Sequence, residues 1–382
     1  MRIVIIGASG NVGTALLRRL QQERLLGAEP FEFVGVSRRV PDSSKTPYEN
    51  VVWHSLDVGA EEDRALLRAA LEGADAVVHL AWQVQPNHDL DQLYRTNVIG
   101  TANMLEAARE AGVGHIVCAS SVGAYSSAGK ESRVAESWPT NGIPGSHYSR
   151  HKAEQEALLN RFEGENPSVR IARLRPALTF QKDAGSEVGR YFFGPLIPKL
   201  LLASPRTPIL PVPEQFVCQA IHADDVADAY WRVLERRAQG AFNVAAEPVV
   251  TPLELARLFH ARRWLPIPVG VVHAAADLSW RLHLQRTDAG WVDMAQGTPI
   301  MDTSRARQLL DWIPRISSLD AIKEVLAGVG TGQGVEASPP LHPRPALGPA
   351  GLRRRAIRRV ALRSGALRSA ALRRQALHGQ AS

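Results

Sequence analysis

Two short patterns in this 382-residue chain combine residue types and spacings that could do chemistry. The first is Tyr148 and Lys152, four apart in Tyr-Ser-Arg-His-Lys. On a helix, positions i and i+4 share a face, so a phenol and an ammonium project side by side. A cation beside a phenol stabilises phenolate and lowers its pKa, which suits general acid/base work near neutral pH. The second pattern is Gly7, Gly10 and Gly13, which follows the apolar run Ile3-Val4-Ile5-Ile6 directly. Glycines between a strand and a helix permit a tight turn and close approach of the backbone to a pyrophosphate. They also let helix and strand pack closely, with the helix N-terminus facing the phosphates.

These patterns need a scaffold, and the chain spells one out. Ile3 to Ile6 reads as a strand buried on both faces, and Val12, Leu16, Leu17 and Leu20 follow at helical spacing. Further strands are expected at Phe31–Val36, Val51–Trp53, Ala76–Leu80, His115–Ala119 and Val169–Leu174, with helices at Glu61–Glu72 and Thr101–Ala111 between them. Strands alternating with helices predict an α/β fold, a Rossmann-type doubly wound parallel sheet with right-handed crossovers. The end of the second strand bears on the cofactor. An acidic residue there would accept ribose hydroxyls and repel a 2′-phosphate. Ser37, Arg38 and Arg39 stand there instead, a hydroxyl and guanidinium groups suited to phosphate. NADP(H) is the expected dinucleotide and NAD(H) the alternative; a solvated arginine loop is the other reading of these residues.

Residues 1–176 are thus expected to form the dinucleotide-binding domain. Residues 177–330 are expected to form a smaller α/β substrate lobe, with 221–250 partly returning to the first domain. A helix around Asp224–Glu235, a strand near Phe242–Ala245 and a helix from Thr251 belong to this part. From Gly328 to Pro349, glycines and prolines read as a linker, so 331–382 is taken as linker plus a disordered basic tail. From Leu341 onward there are ten arginines and no acidic residue. The formal charge of +7 therefore becomes about −3 for the residues before it, and the folded body is not expected to bind nucleic acid. The tail repeats Ala-Leu-Arg with period five, and a five-residue step scatters its leucines around a helix axis rather than along one stripe. Contact of the tail with an anionic surface is the alternative to a plain disordered extension.

Composition narrows the class further. With 45% hydrophobic and 22% charged residues the chain reads as a soluble globular protein. No apolar run reaches the roughly 18 residues of a membrane span, and Met1–Ile6 is too short for a signal peptide. Two cysteines, Cys118 and Cys218, suit a reducing compartment, so a cytoplasmic location is expected. Twelve histidines without tight spacing predict no metal site.

Taken in order, the motifs resemble those of the extended short-chain dehydrogenases/reductases, also called the NAD-dependent epimerase/dehydratase family, over residues 1 to about 330. The matching segments include the Gly7–Gly13 turn, Leu56-Asp57-Val58 and Val77-Val-His-Leu-Ala81. They continue with Thr96-Asn97, Ala119-Ser-Ser-Val-Gly-Ala-Tyr125, Tyr148–Lys152, Leu174-Arg-Pro176 and Ile221-His-Ala-Asp-Asp225. The resemblance implies that Ser121, with Ser120 as the alternative, hydrogen-bonds the reacting oxygen and that Tyr148 donates or accepts its proton. Lys152 would hold the nicotinamide ribose and lower the phenol's pKa. Gly7, Ser9, Gly10, Asn11, Val12 and Gly13 would cradle the pyrophosphate, with Ser37 and Arg38 at the ribose and Asp57 and Val58 at adenine. Leu80 and Ala81 would lie along the cofactor, and backbone after Pro176 would fix the carboxamide. Asn97 would support the site from a neighbouring helix, or simply cap that helix. The family also implies a homodimer built on the Thr101–Ala111 helix and the helix after Tyr148.

Two departures bear on substrate. Nucleotide-sugar members place an asparagine soon after the arginine of the strand following the catalytic helix, and an arginine before the Ile-His segment. Here stand Arg175-Pro-Ala-Leu-Thr-Phe180 and Phe216-Val-Cys-Gln-Ala220, with Trp82 in place of a small residue. Residues 191–216 are rich in long apolar side chains, which reads as an apolar substrate pocket or, equally, as the lobe's core. The expected activity is hydride transfer between a nicotinamide and a carbonyl or secondary alcohol of a mainly apolar small molecule. The alternatives are nucleotide-sugar epimerisation or dehydration, and a catalytically silent cofactor-sensing protein.

Overall fold

The computed structural model of the chain describes residues 1–27, 31–85, 88–192 and 207–344. Seven strands form one parallel sheet: β1 (Arg2–Ile6), β2 (Glu32–Ser37), β3 (Val51–Ser55), β4 (Ala76–His79), β5 (His115–Ala119), β6 (Arg170–Pro176) and β7 (Gly240–Val244). Their spatial order is β7-β6-β5-β4-β1-β2-β3, with Ile5 in register with Gly35 on one side and Val78 on the other. The period of two along β1 explains why the whole run is apolar. Ile3 and Ile5 enter the core on one face, and Val4 and Ile6 the core on the other. The first face is covered by α1 (Asn11–Leu25) and the helix Ala223–Glu235. The second is covered by α2 (Arg64–Leu71), α4 (Gly100–Glu110) and α5 (His147–Glu165).

Strand order reverses at β1, which pairs with β2 on one side and β4 on the other. Successive helices leave the sheet in opposite directions there and open a crevice beyond the strands' carboxyl ends. Two glycines let the β1–α1 turn sit in it. Gly7 has φ +89°, and a Cβ there would lie 2.7 Å from the backbone nitrogen of Ala81. A Cβ on Gly13 would lie 2.4 Å from the Gly7 carbonyl oxygen. Between β4 and α4, α3 (Leu90–Tyr94) runs into a π-helical turn, Arg95–Ile99, that buries Thr96 and Asn97.

The remaining elements form short parallel strand pairs, Leu178–Phe180 with Ala220–His222, Ile209–Pro213 with Arg263–Ile267, and Arg133–Val134 with Ile300–Met301. The helix Ser318–Thr331 packs Ile322, Val325, Leu326 and Val329 against Ala220 and Val250. Here the structure corrects the expected linker. Gly328 to Thr331 belong to that helix, Gly332 ends it at φ 69°, and the chain beyond folds back with Ser338 and Leu341 fully buried. The arginine-rich tail from residue 345 lies outside the described residues.

A buried ion cluster joins α5 to the sheet. Glu156 is fully buried and accepts from Arg175 Nε (2.8 Å) and Nη2 (3.0 Å) of β6 and from Ser120 Oγ (2.5 Å) after β5. Arg175 Nη1 donates to Tyr125 Oη (2.9 Å), whose hydroxyl donates to Asn243 Oδ1 of β7 (2.6 Å). Burial alone would raise the pKa of Glu156, but the Arg175 and Ser120 hydrogen bonds and the charge of Arg173 outweigh it and hold the carboxyl below its ordinary value of 4.5. Because the folded pKa is depressed, the stabilisation is complete above that ordinary value and is lost as pH falls through the folded one. Glu156→Gln leaves Arg175 buried without its counter-charge and should cost about 3–5 kcal/mol. Urea denaturation at pH 7 measures this, and the gap from wild type should narrow as the pH is lowered below the glutamate range.

Candidate active site

The crevice at the β1/β4 reversal is a cleft of about 560 Å³. Its walls bring together the expected residues Gly7, Ser9, Gly10, Asn11, Val12 and Gly13 of the turn, and Ser37 and Arg38 after β2. Asp57, Val58, Leu80, Ala81, Ser121, Tyr148, Lys152 and Pro176 complete them. Gly10 is the N-cap of α1 and offers no side-chain cap, and the first turn carries no acidic residue. The first amides of α1 therefore keep their positive field for an anion. A backbone turn packed so closely at Gly7 and Gly13 that neither admits a Cβ, at the end of such a helix, fits the pyrophosphate of a dinucleotide. Asn11 has a second task, accepting from Gln181 Nε2 (2.6 Å) and so tying the turn to the chain beyond β6.

At the other end, Ser146 caps α5 by accepting from the Ser149 amide (3.3 Å), and Tyr148, Lys152 and Glu156 follow on one face of the helix. Gly123 makes room for the phenol, since a Cβ there would lie 3.0 Å from Tyr148 Cε1 and 3.2 Å from Met294 Sδ. Ser121 lies beside the Tyr148 phenol and lowers its pKa, and its Oγ accepts from the Gly123 amide (3.0 Å). The two serines thus divide the work. Ser121 faces the phenol, while the Ser120 hydroxyl is spent on Glu156.

Electrostatics differ from expectation. Burial pushes the Tyr148 phenol above its usual pKa, with the neighbouring Ser121 pulling the other way. The lowering expected from Lys152 is not seen, because that amine points elsewhere. Lys152 Nζ donates to the Ala119 carbonyl (2.6 Å) and Gln155 Oε1 (3.0 Å) and lies 3.5 Å above the Trp82 ring. Burial lowers its own pKa to about 7, with Cys118 and Glu156 pulling the other way.

Asn97 does not line the cleft. Its amide grips the backbone of Gln83, accepting from the Gln83 amide (2.7 Å) and donating to the Gln83 carbonyl (2.8 Å), so it shapes the strand-end loop after β4. The backbone after Pro176 is also partly committed, because the Ala177 and Leu178 amides donate to the carbonyls of Val244 (2.9 Å) and Gln219 (3.3 Å). With its amide oxygen turned toward β2, the Gln83 side chain accepts from Arg38 Nη1 (2.7 Å).

The substrate end is walled by aromatic and apolar groups. Tyr148 lies edge-on to Trp82 (5.8 Å between ring centroids) and 5.1 Å from Trp291. Tyr191, Phe192, Val188 and Met294 complete this wall, with one carboxyl, Glu187, whose pKa burial raises to about 7. Of the apolar stretch 191–216, Tyr191 and Phe192 reach the cleft, Ile209, Leu210 and Phe216 do not, and 193–206 lie outside the described residues. Trp291 and Met294 carried no local signal. They arrive because the helix Gly290–Gly297 packs at the start of α5, where a Cβ on Gly290 would lie 2.7 Å from the Gly145 carbonyl. Among the described residues no group of His, Cys, Asp and Glu could hold a metal ion, and no helix is long and apolar enough to cross a membrane.

The profile of the NAD dependent epimerase/dehydratase family matches residues 3–245. An uncharacterized protein of Mycobacterium tuberculosis is 35% identical over 136 residues, 36% of this chain and 13% of that protein. A putative dihydroflavonol 4-reductase of Synechocystis sp. is 32% identical over 180 residues, 44% of this chain and 48% of the relative. The uronate dehydrogenase of Pseudomonas putida is 30% identical over 183 residues, 46% and 62%. The chain thus spans under two thirds of the length of each of these relatives. Among solved structures, the fold is shared with a UDP-glucose 4-epimerase of Stenotrophomonas maltophila with bound NAD (TM-score 0.64, 20% identity, 86% of this chain and 98% of that one). It is shared equally with a dTDP-glucose 4,6-dehydratase of Streptomyces venezuelae with NAD (TM-score 0.62, 18% identity, 86% and 96%). With the profile covering more than half of its length, and the glycine turn and the Tyr148–Lys152 helix meeting at one cleft, the chain belongs to the NAD-dependent epimerase/dehydratase family of extended short-chain dehydrogenases/reductases.

Proposed function

We propose that this protein is an NADP(H)-dependent oxidoreductase that reduces a carbonyl, or oxidises a secondary alcohol, on a mainly apolar small molecule. The observation that carries the reading is that Ser121, Tyr148 and Lys152 line one cleft with the glycine turn, beneath an aromatic wall. A bound nicotinamide dinucleotide would supply or accept the hydride. Tyr148 would deliver the proton. A phenol held above its usual pKa stays protonated near neutral pH, which suits donation to a carbonyl oxygen as the substrate carbon gains hydride. Ser121 would hold that oxygen in line. Lys152 would hold the nicotinamide ribose, as the family resemblance implies. Trp82, Trp291 and Met294 would exclude water from the reacting carbon.

Nucleotide-sugar epimerisation or dehydration is the second reading, favoured by the epimerase and dehydratase folds that the chain shares. The apolar wall and the two missing phosphate-gripping residues support the first. A homodimer through α4 and α5, and contact of the arginine-rich tail with anionic surfaces, are part of the same proposal.

Tyr148→Phe should cut turnover about 10²-fold or more while dinucleotide binding persists. Steady-state kinetics beside a binding titration measure both, and near-normal turnover would show the phenol to be misassigned. Arg38→Ala should lower affinity for NADPH relative to NADH by tenfold or more, as loss of a charge-assisted hydrogen bond to a 2′-phosphate predicts. An unchanged ratio in fluorescence titrations would remove Arg38 from cofactor choice. Cutting the chain after Arg344 should abolish salt-sensitive adsorption to anionic vesicles and leave activity intact.

A further inference from the structure

The chain beyond the helix Ser318–Thr331 returns to the mouth of the dinucleotide cleft. Ser338, fully buried, donates through Oγ to the carbonyl of Ser9 in the glycine turn (2.7 Å). The Tyr48 hydroxyl, which lies beside Ser338, bonds Thr14 Oγ1 (2.9 Å) in the first turn of α1. Two residues later, Pro340 lines the cleft itself. The Asp42 amide donates to the Ala337 carbonyl (2.9 Å), joining the loop after β2.

The same segment holds the opposite wall. Ser186, on the helix Gly185–Tyr191 that carries Glu187 and Tyr191 into the cleft, donates from its amide to the Gln333 carbonyl (2.7 Å) and from Oγ to the Gly332 carbonyl (2.6 Å). Ser186 Oγ also accepts from the Arg344 amide (2.8 Å), and the Arg190 guanidinium bonds the carbonyl of Pro340. The segment is braced internally. The Val335 amide donates to the Leu341 carbonyl (3.0 Å), and the Leu341 amide to Ser338 Oγ (3.1 Å). A Cβ on Gly334 would lie 2.0 Å from the Leu341 carbonyl, so only glycine fits the loop as it is built.

We propose that residues 332–344 are part of the dinucleotide site, a clasp that fixes the pyrophosphate turn through Ser338, covers the cleft with Pro340 and ties the substrate-side helix to both. It rests on the reading of the cleft as a dinucleotide site. The clasp lies beyond residues 3–245, which the family profile matches. Ser338 is a positioning residue, because it acts through the backbone of Ser9. Freeing the turn and the helix from each other lets the cleft open, which accelerates ligand release more than it slows entry.

The test uses the full chain and NADPH, with NADH as second probe. Ser338→Ala and Gly334→Ala should each raise the dinucleotide dissociation constant about tenfold, mostly through faster release. The KM for dinucleotide should rise alike, while kcat at saturating dinucleotide stays within twofold. A merely structural role would instead lower the melting temperature and the active fraction and leave the dissociation constant of the folded protein unmoved. Pro340→Ala, which removes no hydrogen bond, should weaken binding about threefold and remains informative if the other variants fail to fold. The chain ending at Arg344 keeps the clasp and should bind as wild type. Affinity within twofold of wild type in all three substituted variants would overturn the clasp. Failure of the unaltered protein to bind either dinucleotide would overturn the functional reading beneath it.

Discussion

The chemistry of this protein depends on where α5 lies, and one buried carboxylate sets that. Glu156 follows Tyr148 and Lys152 at spacings of four on the same helical face. It is held by two bonds from Arg175 on β6 and one from Ser120 beside β5. A charge taken out of water is costly unless paired and fully hydrogen-bonded, so the cluster admits few alternative positions of the helix. Through Arg175 and Tyr125 it continues to Asn243 on β7, so three neighbouring strands and the helix share one polar network. The Ser121–Tyr148 pair stands at the open end of that network.

Burial is the common cause of the site's electrostatics. It raises the Tyr148 phenol and lowers Lys152 to about 7. Both shifts favour the uncharged form, as desolvation must. The pairing that sequence spacing suggested, an ammonium stabilising a phenolate, is replaced by an ammonium lodged against an indole face and a carbonyl. Trp82 supplies one of three contacts that hold the amine, beside the Ala119 carbonyl and Gln155. The same side chain narrows the substrate end, so one large residue bears on both proton chemistry and the shape of the wall.

The cleft has walls from parts of the chain far apart in sequence. The turn after β1, the loop after β4, the helix Gly290–Gly297 and the return of residues 332–344 all meet there. Their contacts are largely hydrogen bonds to backbone carbonyls, as at Ser9, Gln83, Gly332 and Gln333. Such bonds position segments without demanding a particular side chain in the partner.

The features legible from the residues alone are local in character. The apolar run at β1, the three glycines after it and the i, i+4 spacing of Tyr148 and Lys152 each follow from backbone geometry over a few residues. They were enough for the doubly wound sheet and for the glycine turn, whereas Asp57, Val58, Leu80, Ala81 and Pro176, which also line the cleft, were expected only from the family resemblance. Tertiary structure alone decided which serine faces the phenol, because Ser120 and Ser121 differ only in whether Glu156, 36 residues away from the former, claims the hydroxyl. It decided the direction of the Tyr148 shift, which depends on burial by Trp82 and Trp291 rather than on helical spacing. It also turned an expected linker into a packed segment. Glycine and proline content reports conformational freedom in the unfolded chain, whereas the burial of Ser338 and Leu341 depends on partners more than 140 residues upstream in Ser9, Tyr48 and Ser186. No local pattern encodes a contact of that range.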